Sequence, residues 1–432
     1  MSGKGTGTRR EYRRVPSLKG LSEDDRMASA ENHPTATSFS PSLSPVALCI
    51  TELDRGGAEK IFTLLALALA KRCPLVVYSL RSRAYHREGE NFIALLEESG
   101  IKVVFLNVRG PFTALAAIVR LASHLRRHRT VIFQSFMFHA NIIGRLAAKW
   151  AKVPMIFSGL RVSEKKKLSH LKVDRATARL VDGWVCVSRS VADYSVRTGG
   201  LPPEKITVIP NAVPEGTSPD LGASSALFPP YERDHRRKAV VIGRLTEQKG
   251  IDWLLSTAPR WLNDSDFPDW ELWLVGDGDQ RPALERACAA LGDGTKEKIH
   301  FAGWRPDIPA ILAAADLLLL PSRWEGMPNA LLEAAMAKKA VLATLVDGVE
   351  EVLGEENLTA QTCAFGDTDT WTRKVRYLMA DPAARRLLGE ANHLRVRAEF
   401  SIEKMVERYL GYWNRCLAAK YPSNTPQHKQ PE

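Results

Sequence analysis

The chain is predicted to be an α/β protein built from two Rossmann-like domains that face each other across a cleft. Three observations predict it. Short runs rich in Val, Ile and Leu alternate with stretches of helical period, the pattern of a parallel sheet covered by helices. The alternation occurs twice, and residues 212–236, crowded with Pro, Gly and Ser, separate the two series. At 432 residues the chain is also long for one core, which makes two domains the default.

Taken in order, residues 1–44 are polar, rich in Ser, Pro, Gly and charge, and without apolar period. They read as a disordered tail. The first domain, 45–211, begins with a buried strand at 45–50. Further strands are expected at 75–80, 103–106, 131–134, 155–158 and 184–187. Helices are expected at 58–71, 112–128, 140–151 and 173–180. After the linker at 212–236 the second domain, 237–400, repeats the scheme. Its strands fall at 239–242, 271–275, 299–301, 317–320 and 340–343, and its helices at 250–258, 282–291 and 328–336. An amphipathic run at 402–418 is a final helix, expected to fold back onto the first domain. Residues 419–432 read as a flexible tail.

Composition narrows the class. Hydrophobic residues make up 45% and charged residues 25%, ordinary for a globular protein. No apolar run reaches the roughly 18–20 residues of a membrane span. The N-terminus has basic residues but no apolar segment of a secretory signal. Six cysteines are scattered without a C-x-x-C pair, which argues for a reducing compartment and against a disulfide framework or zinc knuckle. These features suggest a cytoplasmic location. The charge is uneven. Residues 1–210 carry 33 Lys and Arg against 17 Asp and Glu, or +16; the remainder carries 27 against 32, or −5, and the two sum to the net +11. Runs such as Arg126-Arg127-His128-Arg129 and Lys165-Lys166-Lys167 suit anionic lipid headgroups or a phosphorylated acceptor. No basic stripe interleaved with aromatics is present, so nucleic acid is not expected.

Ligands of open parallel sheets bind beyond the carboxyl ends of the strands, so the loops there are where chemistry is sought. After one strand, Gly243-Arg244-Leu245-Thr246-Glu247-Gln248-Lys249-Gly250 places a guanidinium and an ammonium five positions apart. Arg244 can hold a diphosphate by two prongs and Lys249 as a point charge. Both would neutralise charge on a departing nucleoside diphosphate. After the run at 317–320, the stretch Arg323-Trp324-Glu325-Gly326-Met327-Pro328-Asn329-Ala330-Leu331-Leu332-Glu333 holds two carboxylates eight residues apart. Pro328 suits a first helical turn, whose free N–H groups favour an anion. Eight residues at ~100° each bring Glu325 and Glu333 to nearly one face, about 12 Å apart along the axis. That spacing suits a ligand with an anionic middle and hydroxyl-rich ends, such as a nucleotide sugar.

Weaker signals point to the same place. Asp54-Arg55-Gly56-Gly57-Ala58-Glu59 opens the first helix with glycines that let backbone approach a ligand, though a tight turn reads the same way. Gln134-Ser135-Phe136-Met137-Phe138-His139 sets a lone histidine where a strand hands over to a helix. Asp277-Gly278-Asp279 reads as a turn rather than a metal site. No cluster of His, Asp or Glu has convincing metal spacing, so no metal is expected.

With these segments in this order, residues 45–418 resemble the retaining glycosyltransferases of family 4, which have the GT-B fold. The resemblance rests on Gly56-Gly57-Ala58-Glu59, Val208-Ile209-Pro210-Asn211-Ala212-Val213, the Gly243 to Gly250 segment, and Glu325 to Glu333, which matches the family's E-x7-E motif. Gly303-Trp304-Arg305-Pro306-Asp307-Ile308 looks like the family's loop near the nucleotide base. The resemblance implies that Arg244 and Lys249 bind the donor diphosphate and that Gly57 lends backbone from the other domain. It places Glu325 beside the donor sugar, the amides of Gly326, Met327 and Asn329 with Pro328 around sugar and phosphate, and Glu333 on the ribose hydroxyls. Where many members carry a histidine this chain has Phe136. His139 instead follows the Gln-Ser/Thr-x-x-x-His pattern of some polysaccharide-assembly members.

The expected protein is therefore a metal-independent, retaining glycosyltransferase that uses a nucleotide sugar, most simply a UDP-sugar. Its acceptor would be a growing glycan, such as a polyprenyl-diphosphate-linked sugar, at the inner face of the cell membrane. A nucleotide-sugar epimerase on a similar scaffold and a degenerate glycan-binding scaffold are the alternatives.

Overall fold

The computed structural model describes residues 44–54, 56–85, 92–163, 168–215, 236–263, 265 and 267–421. The tail at 1–43, most of the linker and the Lys165–Lys167 run lie outside the described residues.

Each lobe is a doubly wound parallel sheet. In the first, β1 (Val46–Ile50), β2 (Leu75–Ser79), β3 (Lys102–Phe105), β4 (Ile132–Phe136), β5 (Met155–Leu160), β6 (Gly183–Cys186) and β7 (Ile206–Val208) stand in the order 3-2-1-4-5-6-7. Their helices are α1 (Gly57–Ala70), α2 (Phe92–Glu98), α3 (Pro111–Arg127), α4 (Phe138–Trp150), α5 (Leu168–Ala176) and α6 (Arg189–Arg197). The second lobe orders β8 (Arg237–Ile242), β9 (Trp270–Val275), β10 (Ile299–Gly303), β11 (Leu317–Leu320), β12 (Ala340–Thr344) and β13 (Thr362–Cys363) as 10-9-8-11-12-13. Its helices are α7 (Ile251–Thr257), α8 (Arg281–Ala289), α9 (Asp293–Lys296), α10 (Ile308–Ala314), α11 (Asn329–Met336), α12 (Val349–Leu353), α13 (Glu355–Gln361), α14 (Thr368–Ala380) and α15 (Pro382–Glu399), and the last helix, α16 (Ile402–Lys420), returns to the first lobe.

The central strands are buried along their whole length, as β1 and β11 are, because helices cover both faces of each sheet. In the first lobe, α3 and α4 pack on one face through Ala117, Leu121, Leu125, Ala140 and Ala147. On the other face lie α1, α2 and α16, which adds Met405, Tyr409 and Trp413 to the core of the first lobe although it ends the chain. The strand order reverses between β1 and β4 and between β8 and β11. At such a reversal the loops diverge and leave a crevice beyond the strand ends. The loops after these four strands are the segments singled out in the sequence.

Two details differ from the sequence reading. The 173–180 region is the end of α5 followed by a short 3-10 turn, Ala178–Leu180. Pro328 is the N-cap of α11 rather than a residue of its first turn: it has extended ψ of 112°, and its carbonyl accepts from the Leu331 and Leu332 amides. Glu333 therefore lies just over one turn into the helix, and Gly326–Pro328 bridge to Glu325 as non-helical backbone. The same-face construction over eight helical residues does not apply, yet both carboxylates reach one cavity.

Candidate active site

A cavity of about 760 Å³ lies between the lobes. Of the residues singled out in the sequence, His139, Gly57, Arg244, Lys249, Trp304, Glu325, Gly326, Met327, Asn329 and Glu333 line it; Pro328 does not.

On the second lobe, Gly243 follows β8 and Gly276 follows β9. Their φ values are +155° and +146°, and a Cβ on Gly276 would stand 1.9 Å from the Gly243 carbonyl oxygen. Only glycine permits this crossing of two loops, and it brings Arg244 to the rim with its side chain exposed to the cleft. Lys249 turns inward, and its Nζ donates to Glu325 Oε1 at 2.5 Å. The Ser322 hydroxyl donates to the same oxygen at 2.7 Å, and Gln248 Nε2 lies 3.5 Å from Oε2. Glu325 is thus a buried carboxylate whose charge is balanced from within its own lobe.

The first lobe answers across the cleft. The N-termini of α1 and α11 both open on the cavity, and their free amides favour an anion there. Lys60 Nζ donates to Glu333 Oε1 at 2.9 Å, with side chains 27% and 15% exposed. Asn329 Nδ2 donates to the Gly57 carbonyl at 2.8 Å, while Asn211 Nδ2 donates to Asn329 Oδ1 at 2.7 Å. Arg161 in turn donates to Asn211 Oδ1. A Cβ on Gly326 would meet the Arg161 carbonyl oxygen at 1.8 Å, so the lobes touch backbone to backbone at the start of the E-x7-E segment.

The histidine region separates two positions. Phe136 is 2% exposed and packs edge-on against Phe62 at 5.2 Å, which places it in the core and not at the cavity. His139 lines the cavity, edge-on to Phe138, and Phe138 stacks flat on His170 at 3.6 Å. Just before them Met137 holds φ 72° and ψ 154°, a region nearly reserved for glycine. That strain turns the chain sharply at the end of β4 and aims Phe138 and His139 into the cleft. Beneath them Arg145 donates to Asp174 at 2.8 Å, both nearly inaccessible. Burial lowers the Arg145 pKa and raises that of Asp174, and each partner's charge opposes the shift of the other.

Burial also raises the carboxyl of Glu59 to about 7, against the attraction of Arg244 and Arg161. Glu52, on the cavity wall, is raised by burial as well. Asp277 lies in a turn and accepts from the Gly278 amide at 2.8 Å. Among the described residues no group of three or more His, Cys, Asp or Glu is placed to hold a metal ion.

Lys60, Asn211, Arg161 and Met137 escaped the sequence reading as functional candidates. Asn211 stands in a quoted motif, and that motif was the one available signal for it. The others show only in three dimensions.

Two facing Rossmann-like lobes bring cations, helix N-termini and paired carboxylates to one cleft, a chemistry that suits a phosphorylated, hydroxyl-bearing ligand. Two family models match in tandem: Glycosyltransferase Family 4 over residues 55–216 and Glycosyl transferases group 1 over residues 236–381. The chain belongs to the family 4 glycosyltransferases, with the GT-B fold. It is 30% identical over 171 residues to the lipopolysaccharide core biosynthesis glycosyltransferase LpsE of Rhizobium meliloti, covering 39% of this chain and 47% of that one. The chain thus spans about half the length of that relative. It is 24% identical over 359 residues to the N,N'-diacetylbacillosaminyl-diphospho-undecaprenol alpha-1,3-N-acetylgalactosaminyltransferase of Campylobacter jejuni, covering 76% of this chain and 89% of that one. Among solved structures, Anabaena Alr3699/HepE in complex with UDP-glucose superposes with a TM-score of 0.74 at 18% identity, over 86% of this chain and all of that one.

Proposed function

We propose that this protein is a retaining glycosyltransferase that moves a sugar from a UDP-sugar to a growing, lipid-linked envelope glycan. The observation that carries the reading is the convergence of Arg244, Lys249, Glu325 and Glu333 on one interlobe cavity. The two cations supply the charge a diphosphate requires, which is why the proposed reaction needs no metal. Glu333 and Trp304 also line the cavity, and in this reading Glu333 accepts from the ribose hydroxyls and Trp304 lies by the base. UDP is favoured by the ligand of the Anabaena structure, and a lipid diphosphate acceptor by the name of the Campylobacter relative.

In the proposed reaction the acceptor hydroxyl attacks the sugar's anomeric carbon on the face the diphosphate leaves. The new C–O bond forms as the bond to the phosphate oxygen breaks. That phosphate oxygen takes the acceptor proton, and UDP departs. Arg244 and Lys249 stabilise the growing charge, Glu325 orients the sugar hydroxyls, and His139 faces the reacting end of the cavity. No protein nucleophile is used.

The test is a thermal-shift and hydrolysis screen of UDP-, GDP- and ADP-sugars, with and without EDTA, alongside Glu325→Ala and Arg244→Ala. The expected result is one stabilising UDP-sugar, hydrolysed slowly by the unmodified chain alone and indifferent to EDTA. Absence of any nucleotide-sugar binding would defeat the reading. Release of an epimerised donor without acceptor would replace transfer by epimerisation.

A further inference from the structure

The outer layer of the first lobe has a surface that the cavity chemistry does not use. Between residues 99 and 163 the sequence has ten Lys and Arg and no Asp or Glu. Arg145 and Arg161 are engaged inside the lobe; the other eight are exposed. In the same stretch α3 and α4 lie side by side on one sheet face, and their outward sides carry large apolar residues. Phe112 is 93% exposed, Leu115 67%, Trp150 50% and Val119 46%. On a helix with ~100° per residue, positions 112, 115, 116, 119, 123 and 126 fall within about 50° of one line. The stripe is therefore apolar at its start and ends on Arg126. Arg120 and Arg127 flank it, and the Arg126 guanidinium lies over the Trp150 ring at 5.7 Å, tying the two helices together at that end.

Scattered exposed apolar residues are ordinary, but a contiguous apolar stripe edged by cations is not. Water penalises the phenyl and isobutyl groups, and nothing among the described residues covers them. A protein partner would need complementary acids at several separate points. A bilayer with anionic headgroups meets both requirements at once, because the apolar stripe enters the acyl boundary while Arg and Lys stay at the phosphates. An indole beside a guanidinium is itself suited to the headgroup level.

We propose that the outward face of α3 and α4 docks the protein onto an anionic lipid bilayer. The topology gives the docking a direction. In a parallel sheet the helix after each strand starts at the strand's carboxyl end, so Phe112 begins α3 at the cleft side of the lobe, as His139 does on α4. Docking through this face sets the edge of the cleft beside the headgroups, where a lipid-borne acceptor enters without leaving the bilayer.

The inference stands beside the transfer reading, since vesicle binding is measured without donor or acceptor. The experiment is flotation of the full chain with phosphatidylcholine vesicles and with vesicles containing one third phosphatidylglycerol, at low and at physiological salt. Phe112→Ser/Leu115→Ser and Arg120→Glu/Arg127→Glu are compared with the unmodified chain; all four side chains are exposed, and circular dichroism and thermal melting confirm each fold. Binding to the anionic vesicles only is expected, weakened at least about tenfold by either pair of substitutions. An unmodified chain that stays soluble with anionic vesicles overturns the proposal, as do variants that float like it. Lipid-free sedimentation is run in parallel, and a dimer that Phe112→Ser/Leu115→Ser dissociates would assign the face to a second copy instead.

Discussion

Glu325 holds a negative charge at 5% exposure, and its closest compensation is one ammonium, Lys249 Nζ, at 2.5 Å. Lys249→Met keeps the aliphatic stem and removes that charge. The carboxylate then retains the Ser322 hydroxyl at 2.7 Å and a distant Gln248 amide at 3.5 Å. Removing one partner of a fully buried ion pair costs about 3–5 kcal/mol. One side of this pair faces the cavity and one strong hydrogen bond survives, which brings the cost to about 2–3 kcal/mol. For a lobe of this size that lowers Tm by roughly 5–10 °C. Glu325→Gln in the same chain removes the orphaned charge, so Lys249→Met/Glu325→Gln should regain most of the lost Tm. Turnover should not follow. Losing one preorganised charge against the departing diphosphate costs about a hundred- to a thousandfold, and the double variant lacks it as well. The assay is differential scanning fluorimetry with donor turnover on the unmodified chain, both single variants and the double. A Lys249→Met melting point within about 1 °C of the unmodified chain would refute the energetic argument, and recovered turnover in the double variant would refute the proposed role.

Other outcomes follow from the same geometry. Trp304→Ala should weaken UDP binding by roughly 5- to 150-fold, the worth of about 1–3 kcal/mol of base stacking; an unchanged Kd by calorimetry removes the base from that loop. His139→Ala should lower turnover about a hundredfold with Tm unchanged, and unchanged kinetics would take His139 out of the mechanism. Glu59 is raised by burial from 4.5 to about 7, so the folded state binds its proton more tightly than the unfolded state. Its contribution is present in full below pH ~4.5 and is lost as pH rises to about 7. Glu59→Gln should therefore gain stability over the unmodified chain across that window, by an amount on the order of 3 kcal/mol at pH 8. Denaturation midpoints at pH 5 and pH 8 measure it, and an equal difference at both would reject the burial argument.

The repeated architecture was legible because strands buried on both faces read as continuous apolar runs, and because most such runs here are followed by glycines or cations where the chain must turn. Elements without that signature were not legible. β7 is three half-buried residues at a sheet edge, and α6 is short and largely polar. Residues 349–399 fold into four helices with the two-residue strand β13 among them; α14 buries Trp371, Val375, Leu378 and Met379 at helical spacing, a period that was present in the sequence and went unread. The second lobe's share of the cavity was largely visible, since Arg244, Lys249 and Glu325 lie just after strand ends and Glu333 lies in the helix that follows. What joins the lobes was not. Lys60 meets Glu333 across 273 positions and Asn211 meets Asn329 across 118, and no local spacing encodes such a pairing. Phe136 shows the same limit from the other side, because it stands where many family members carry a histidine while its side chain belongs to the core.

These pairs, within and between the lobes, change what donor binding means in the proposed reaction. Glu333 is held by Lys60, Glu325 by Lys249, and Asn329 joins Gly57 to Asn211. A donor would not meet idle groups; it would exchange contacts already made. Ribose hydroxyls would compete with the Lys60 ammonium for Glu333, and a diphosphate would compete with Glu325 for Lys249. Each exchange replaces one charge-assisted contact by another, so its net gain is far smaller than the contact itself. The carboxylates stay compensated while the cleft is empty, and so do not destabilise it. Lys60, once displaced, remains on the first turn of α1, within the cavity wall. The ion pair that links the lobes without donor would thus become a link through the donor, which makes lobe approach and donor binding one equilibrium. Gly326, with no side chain against the Arg161 carbonyl, sets how close that approach can be.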